Sequence, residues 1–335
     1  MIKTRFVAAG VLVAAAGSLV SATASQAATV TPPASCPLVF TRAVDVASAY
    51  ELRTALSQAL PGDEIRLAPG AYVGNFTIGH GGTATAPVVL CGDSDAILDG
   101  GVTATGYTLH VWNAPYSVVQ GFTVEHGQKA LMIDNSTNVT VDDLTVQSTG
   151  YEGVVFRHGS SYGVVRNSTI TDTGLNAPQY GEGVYVGSAD NNWVNGVPDR
   201  TDGVQVLDNH IGPGVTAEEV DVKEGTTGGV VQGNVFDGSG MVSVTAGAQS
   251  WVDVKGNNWL VSGNVGRYTI RHGFTDSLAV TGWGNNNVFT ANLEYVNAMG
   301  YGVKVVTGVK GVKVTTSNVV VGAYYGVSNI KLVKA

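Results

Sequence analysis

Residues 217–240 read AEEVDVKEGTTGGVVQGNVFDGSG. Val220 and Val222 alternate with charged residues, and alternation at period two marks a half-buried strand. The pattern turns the valines toward a core and puts Glu219, Asp221 and Lys223 on a shared outer face. After a glycine corner comes a short apolar pair, an asparagine and another apolar residue. The same phrase returns as VVRNSTI (164–170), VQVLDNHI (204–211), WLVSGNV (259–265) and NVFTANL (287–293). Asn209, Asn234, Asn264 and Asn292 recur at a spacing that signals stacked repeats. Strands this short, with no helix between them, argue for coiled strands rather than βαβ units. The predicted fold is all-β, a single-stranded right-handed parallel β-helix of roughly nine or ten coils. The asparagines would stack as a ladder at one corner.

Working outward, Ala43 to Leu60 carries the one helical pattern, with Val46, Tyr50, Leu52, Leu56 and Leu60 near one face. Pro61-Gly62-Asp63 ends it. This short helix is expected to cap the first coil. Residues 1–27 read as a signal peptide: basic Lys3 and Arg5, an apolar run, then Ser25-Gln26-Ala27 as a small-x-small cleavage site. Residues 28–42 form a linker, and 43–335 the β-helix. The expected product is secreted and monomeric, with no membrane span. Cleavage lowers the basic count from 18 to 16 against 26 acidic residues, taking the net charge from −8 to −10. Such a chain is a poor general binder of nucleic acid or anionic membrane. In an oxidising compartment, Cys36 and Cys91 read as one disulfide, stabilising by about 4 kcal/mol. The alternative is two separate buried thiols.

Superposing the apolar pairs sets the outer lattice. Leu131/Ile133, Val154/Phe156, Val184/Val186, Val220/Val222, Val252/Val254, Leu278/Val280 and Val303/Val305 align. Rungs lie about 4.8 Å apart, so Asp221, Asp253, Lys223 and Lys255 meet as a rectangle of charge. Glu152, Glu182 and Glu218 stack at its edge. Three carboxylates at that spacing repel unless a hard cation such as Ca²⁺, or a proton, offsets them. The blander reading is a solvated face with simple cross-strand pairs. The polar insertion at 187–203, with Arg200, would overhang this face. Tyr185, Trp251 and Trp283 are candidates to stack on sugar rings, with ordinary packing the alternative for each. Arg157-His158 and Arg271-His272 are two further cationic pairs.

The opening, from Leu52 through ALPGDEIRLAPGAYVGNFTI (59–78) to GTATAPVVL (82–90), resembles secreted β-helix polysaccharide lyases. It is closest to the alginate lyase and chondroitinase B family, with pectate lyases more distant. The resemblance implies a lysine base five residues after a Ca²⁺-binding glutamate, matched by Lys223 and Glu218. It also implies an Arg-His-Gly one coil later, beside the lysine. That column position is Lys255 here, a departure. The literal strings are Arg157-His158-Gly159, two coils earlier, and Arg271-His272-Gly273 elsewhere in its coil.

These readings converge on Ca²⁺-assisted β-elimination of a uronic-acid polysaccharide. Lys223 is the expected base, with Lys255 or Arg271 on the substrate carboxylate. Glu182, Glu218, Glu219 and Asp221 are the expected metal ligands, and Asp253 sits among the substrate-binding groups. Adjacent lysines would lower each other's pKa while the aspartates push the other way. Two alternatives stand beside this. A glycoside hydrolase would use Asp221 with Asp253, Glu219 or Glu224. A wall-binding β-helix would have no catalysis at all.

Overall fold

A computed structural model describes residues 33–37, 41–242 and 249–335. The expected signal peptide, and residues 28–32 and 38–40 of the expected linker, lie outside the described residues. The chain winds as a parallel β-helix with three sheets of 11, 10 and 9 strands. Each coil adds one strand to each sheet. In the coil that opens with Val220–Val222, the other two strands are Val230–Gln232 and Val235–Asp237. The next coil repeats this with Ser250–Val254, Leu260–Ser262 and Val265–Arg267. Every pairing between strands is parallel. The core is a continuous column of valine, leucine, isoleucine and phenylalanine running up the inside of the coils.

At the corner before the last five strands of the 10-stranded sheet, the asparagine ladder forms as expected and extends to Asn318. The backbone N–H and Nδ2 of Asn234 both donate to Oδ1 of Asn264, at 3.0 Å each. Asn209, Asn264 and Asn292 repeat the arrangement with the next asparagine along. Each Nδ2 also reaches a core carbonyl, as Asn234 does to Val206 at 2.9 Å. The buried amides are thereby satisfied without water.

The first coil differs from expectation. Arg42–Val46 is a strand pairing with Asp63–Leu67, and the helix is confined to Ala49–Ser57. Ser48 caps it, its side chain accepting from the Glu51 N–H. Leu52 and Leu56 close the end of the core as predicted, whereas Val46 reaches the core from the strand. Tyr50 and Leu60 are exposed. The alternation of Val44 and Val46 was hidden inside a run that also satisfies a helical period. Cys36 and Cys91 form a disulfide with Cα atoms 5.3 Å apart. Among the described residues no helix is long and apolar enough to cross a membrane.

Candidate active site

The nine-stranded sheet carries the charged face. Val220–Val222 pairs with Val184–Val186 on one side and with Ser250–Val254 on the other, which sets Asp221 between Tyr185 and Asp253. The expected rectangle forms. Asp221 is 2% exposed and is held by two ammonium groups, Lys223 and, at 2.6 Å, Lys255. Lys255 also reaches Asp253 at 2.7 Å. Burial pushes Asp221 up, but the two lysines outweigh it and keep the carboxylate ionised. The expected mutual depression of the lysines does not appear at Lys255. Burial lowers its pKa, yet Asp221, Asp253 and Glu218 raise it well above the usual lysine range. Lys255 is a permanent cation. The Lys223 ammonium lies 4.8 Å from the centre of the Tyr185 ring.

Beside the rectangle stand the glutamates. One oxygen from each of Glu182, Glu218 and Asp221 lies within 4.8 Å of the others. Glu182 is pushed well above the carboxylate range, first by burial, then by Asp221, Glu152 and Glu218. Glu218 is pushed up to about 7 by burial and Asp221, with Lys255 opposing. Glu182 Oε2 is buried without a partner. Three crowded carboxylates, of which Glu182 and Glu218 resist ionisation and Glu182 has an unpartnered oxygen, are the donor set a hard divalent cation would fill. Glu152, the outer member of the column, is neutralised by Lys129 instead. These groups line one groove of 590 Å³, roofed by Ala189, Asn191 and Asn192 of the 187–203 insertion. Tyr185 stands in it, and burial followed by Asp221 and Glu182 keeps its hydroxyl protonated.

A search of solved structures finds the alginate lyase of Paenibacillus sp. str. FPU-7 at 35% identity and TM-score 0.82, over 88% of this chain and 100% of that one. The chain belongs to the family of this β-helix alginate lyase. It is a polysaccharide lyase by that kinship. A family profile for the right-handed β-helix region matches residues 77–197. Pectate lyase Pel9A, at 17% identity and TM-score 0.62 over 87% of this chain and 79% of its own, shares the fold. So does the enzymatically active domain of bacteriophage CBA120 tailspike protein 2, at 10% identity and TM-score 0.58, over 83% of this chain and 43% of its own. No match to the sequence was found among curated proteins.

Several residues of this lyase fall elsewhere than expected. Glu219 is not on the outer face. It is fully buried, neither carboxylate oxygen has a partner, and burial pushes its pKa well up. It cannot ligate a metal beside Glu218. Two consecutive inward positions, Glu219 and Val220, break the alternation at the bend before the strand. Gly183, the matching position one coil earlier, shows the same direction: a Cβ there would stand 2.6 Å from Ile211 Cγ2. Trp251, one coil later, is likewise in the core, donating from Nε1 to the Arg267 carbonyl at 2.9 Å. It offers nothing to a sugar.

The coil after Asp253 also registers differently. Val252 and Val254 pair with Phe274 and Asp276, not with Leu278 and Val280. An inward carboxyl at Asp276, accepting from Asn287 Nδ2 at 3.1 Å, interrupts the apolar signal the alignment relied on. The correction moves His272 beside Ser250, into the column of the glutamates. Arg157 lies in the expected column but is bound to Asp134 at 2.7 Å, and His158 and His110 converge on the same carboxylate. Burial raises Asp134, but His110 and Arg157 hold it down at about 2. This cluster is therefore neutralised two rungs from Lys223. Arg200 pairs with Asp202 at 2.7 Å and lines a separate hollow beneath the insertion. Arg271 is exposed and, among the described residues, its side chain is bonded only to Gln249, at 3.0 Å. Lys129 carried no motif in sequence. Only its rung neighbour Glu152 shows what it does.

Proposed function

We propose that the chain cleaves a uronic-acid polysaccharide, with alginate the first candidate, by Ca²⁺-assisted β-elimination. The single observation that carries this reading is the Lys223–Asp221–Lys255 bridge beside three crowded glutamyl and aspartyl oxygens. Lys255, charged at every working pH, holds the carboxylate of the sugar to be cleaved. The C5 proton becomes more acidic as that charge is offset. Lys223 takes the proton as the free amine. The C4–O bond breaks, a C4=C5 double bond forms, and the departing oxygen takes a proton from the Tyr185 hydroxyl. To act, Lys223 must leave its ion pair with Asp221. Ca²⁺ held by Glu182, Glu218 and Asp221 would supply positive charge that competes with Lys223 for Asp221 and helps neutralise the uronate. The disulfide supports an extracellular setting.

The test is ultraviolet absorbance of the new unsaturated uronate, followed on alginate, pectate, chondroitin and glucuronan with Ca²⁺ present. A rise on one of them supports the reading, and a flat trace on all of them defeats it. A hydrolase would need a neutral carboxylic acid near a carboxylate. Glu218, with its pKa near 7, beside Asp221 is the pair that fits. New reducing ends without the absorbance would select that chemistry.

A further inference from the structure

We propose that the groove continues beyond Lys255 into a second subsite, built by Arg271, His272, Thr275 and Lys304 with a run of tyrosines beside it, that binds the carboxylate of another sugar of the same acidic chain. The proposal rests on the uronate reading of the groove. Glu218 and Asp253 line both the lysine groove and this second hollow, so the two are continuous. Asp253, Thr275 and Lys304 follow one another in register on three successive strands.

The chemistry of the hollow differs from that of the groove. Lys223 and Lys255 are tied to aspartates. Neither Arg271 nor Lys304 has an acid within ion-pair distance among the described residues; Arg271 holds only Gln249, and Lys304 lies 5.5 Å from the centre of the Tyr301 ring. Asp253 at the rim is already held by Lys255. The Thr275 hydroxyl is buried without a hydrogen-bond partner. His272 accepts the Tyr301 N–H at Nδ1, 3.0 Å away, so the neutral ring carries its proton at Nε2 as a donor. Burial, Arg271 and Lys304 keep that ring neutral, with a pKa near 4. Two unspent cations and two unspent donors in one hollow ask for an anion with several acceptor oxygens.

The run of tyrosines beside His272 and Lys304 points to an anion that belongs to a sugar. The Tyr301 ring stacks on His272 at 6.0 Å and meets Tyr325 at 5.3 Å. Tyr325 is 48% exposed, and Tyr324 packs edge-on against it with 69% exposed. A free inorganic anion has no use for an exposed run of rings, whereas a sugar face does. Lys304 lies two rungs past Asp253, about 10 Å along the solenoid, and Lys255 stands two residues beyond Asp253 on its own rung. In an extended 1,4-linked chain every second sugar turns its carboxylate to the same side, a repeat of that order. One chain laid along the sheet would then meet Lys255 with one carboxylate and Lys304 with the next on that side.

Kinetics of wild type, Lys304→Ala, Lys304→Arg and Tyr301→Ala on polymer and on short oligouronates test this, beside calorimetric binding of a long oligouronate. Lys304→Ala is expected to raise KM on the polymer roughly tenfold, the size of one charge-assisted contact, with little change in kcat. The effect should shrink on oligosaccharides too short to span the rungs, and Lys304→Arg should restore most of the affinity. An unchanged polymer KM, or an equal loss on short and long substrates, overturns the subsite while the lyase reading stands. If wild type cleaves nothing yet binds the oligouronate, and Lys304→Ala loses that binding, the subsite survives and the lyase reading falls. No binding and no cleavage by wild type sinks both.

Discussion

At one corner of the solenoid Asn209, Asn234, Asn264, Asn292 and Asn318 lie a rung apart; on the outside of the nine-stranded sheet Glu152, Glu182 and Glu218 do the same. The spacing is common to both stacks, and the outcome is opposite. An amide carries donors and an acceptor, so each asparagine satisfies the next and the column closes on itself. An ionised carboxylate only accepts. A column of them repels itself and has to be completed from outside, by Lys129 at Glu152, by a proton, or by a cation. The same rung spacing that makes one stack a structural seam makes the other a binding site. That site remains chemically unfinished without a guest.

The comparison can be broken at either stack. The largest expected effect is at the active stack's neighbour. Lys223→Ala should lower kcat by at least about 100-fold, the scale of a lost general base. Asp221 keeps Lys255 as its partner, so the melting temperature should hold. Full activity in this variant would remove Lys223 from the chemistry. Next comes the guest. Chelation of divalent cations should lower both activity and melting temperature, and Ca²⁺ at 100 times its Kd should restore about 2.7 kcal/mol of stability. Glu182→Gln should abolish the Ca²⁺-dependent rise. A rise that persists in this variant would place the ion elsewhere.

The seam should respond in the reverse way. Asn264→Leu strands the Asn234 N–H, removes the Asn264 donor from the Val231 carbonyl and takes one of the acceptors of Asn234 Nδ2, at a cost of about 2 kcal/mol. Calorimetry should show the lower melting temperature, and activity per folded molecule should be unchanged. The smallest effect per step is the pH response of the inner carboxyls. Burial pushes Glu294 to about 8, and burial with Asp253 pushes Asp276 to about 8. The folded chain keeps these protons to near pH 8, while the unfolded chain releases them near 4. Stability contributed by each is therefore full at low pH and falls as pH rises through that window, by at most about 1.4 kcal/mol per unit for one proton. Glu294→Gln should flatten the fall of melting temperature between pH 5 and 8. An unchanged slope would mean that Glu294 does not stay protonated in the fold.

Much of this was legible from residue order because a β-helix repeats itself. Period two set the inner and outer faces of the strands at 184–186, 220–222 and 252–254, and equal offsets then placed Asp221, Lys223, Asp253 and Lys255 together. The asparagine repeat announced the corner. Legibility failed where the chain bends. Glu219 sits just before a strand and Trp251 near the start of one, where two neighbouring residues both turn inward, and a charge or a large polarisable ring gives no hint of it. It failed again at Asp276, because a buried carboxyl at an inward position looks like a surface residue. That slip of four residues kept His272 out of the glutamate column.

Residue order alone determined the stacked architecture, its asparagine seam and the meeting of two lysines with two aspartates, because short-range periodicity and equal coil lengths suffice to register neighbouring strands. Only the folded chain decided which carboxylates face the groove, which are sealed inside, and which cations are left unspent. Those outcomes depend on burial and on charges gathered from three or four coils at once, and no local stretch of sequence contains that sum.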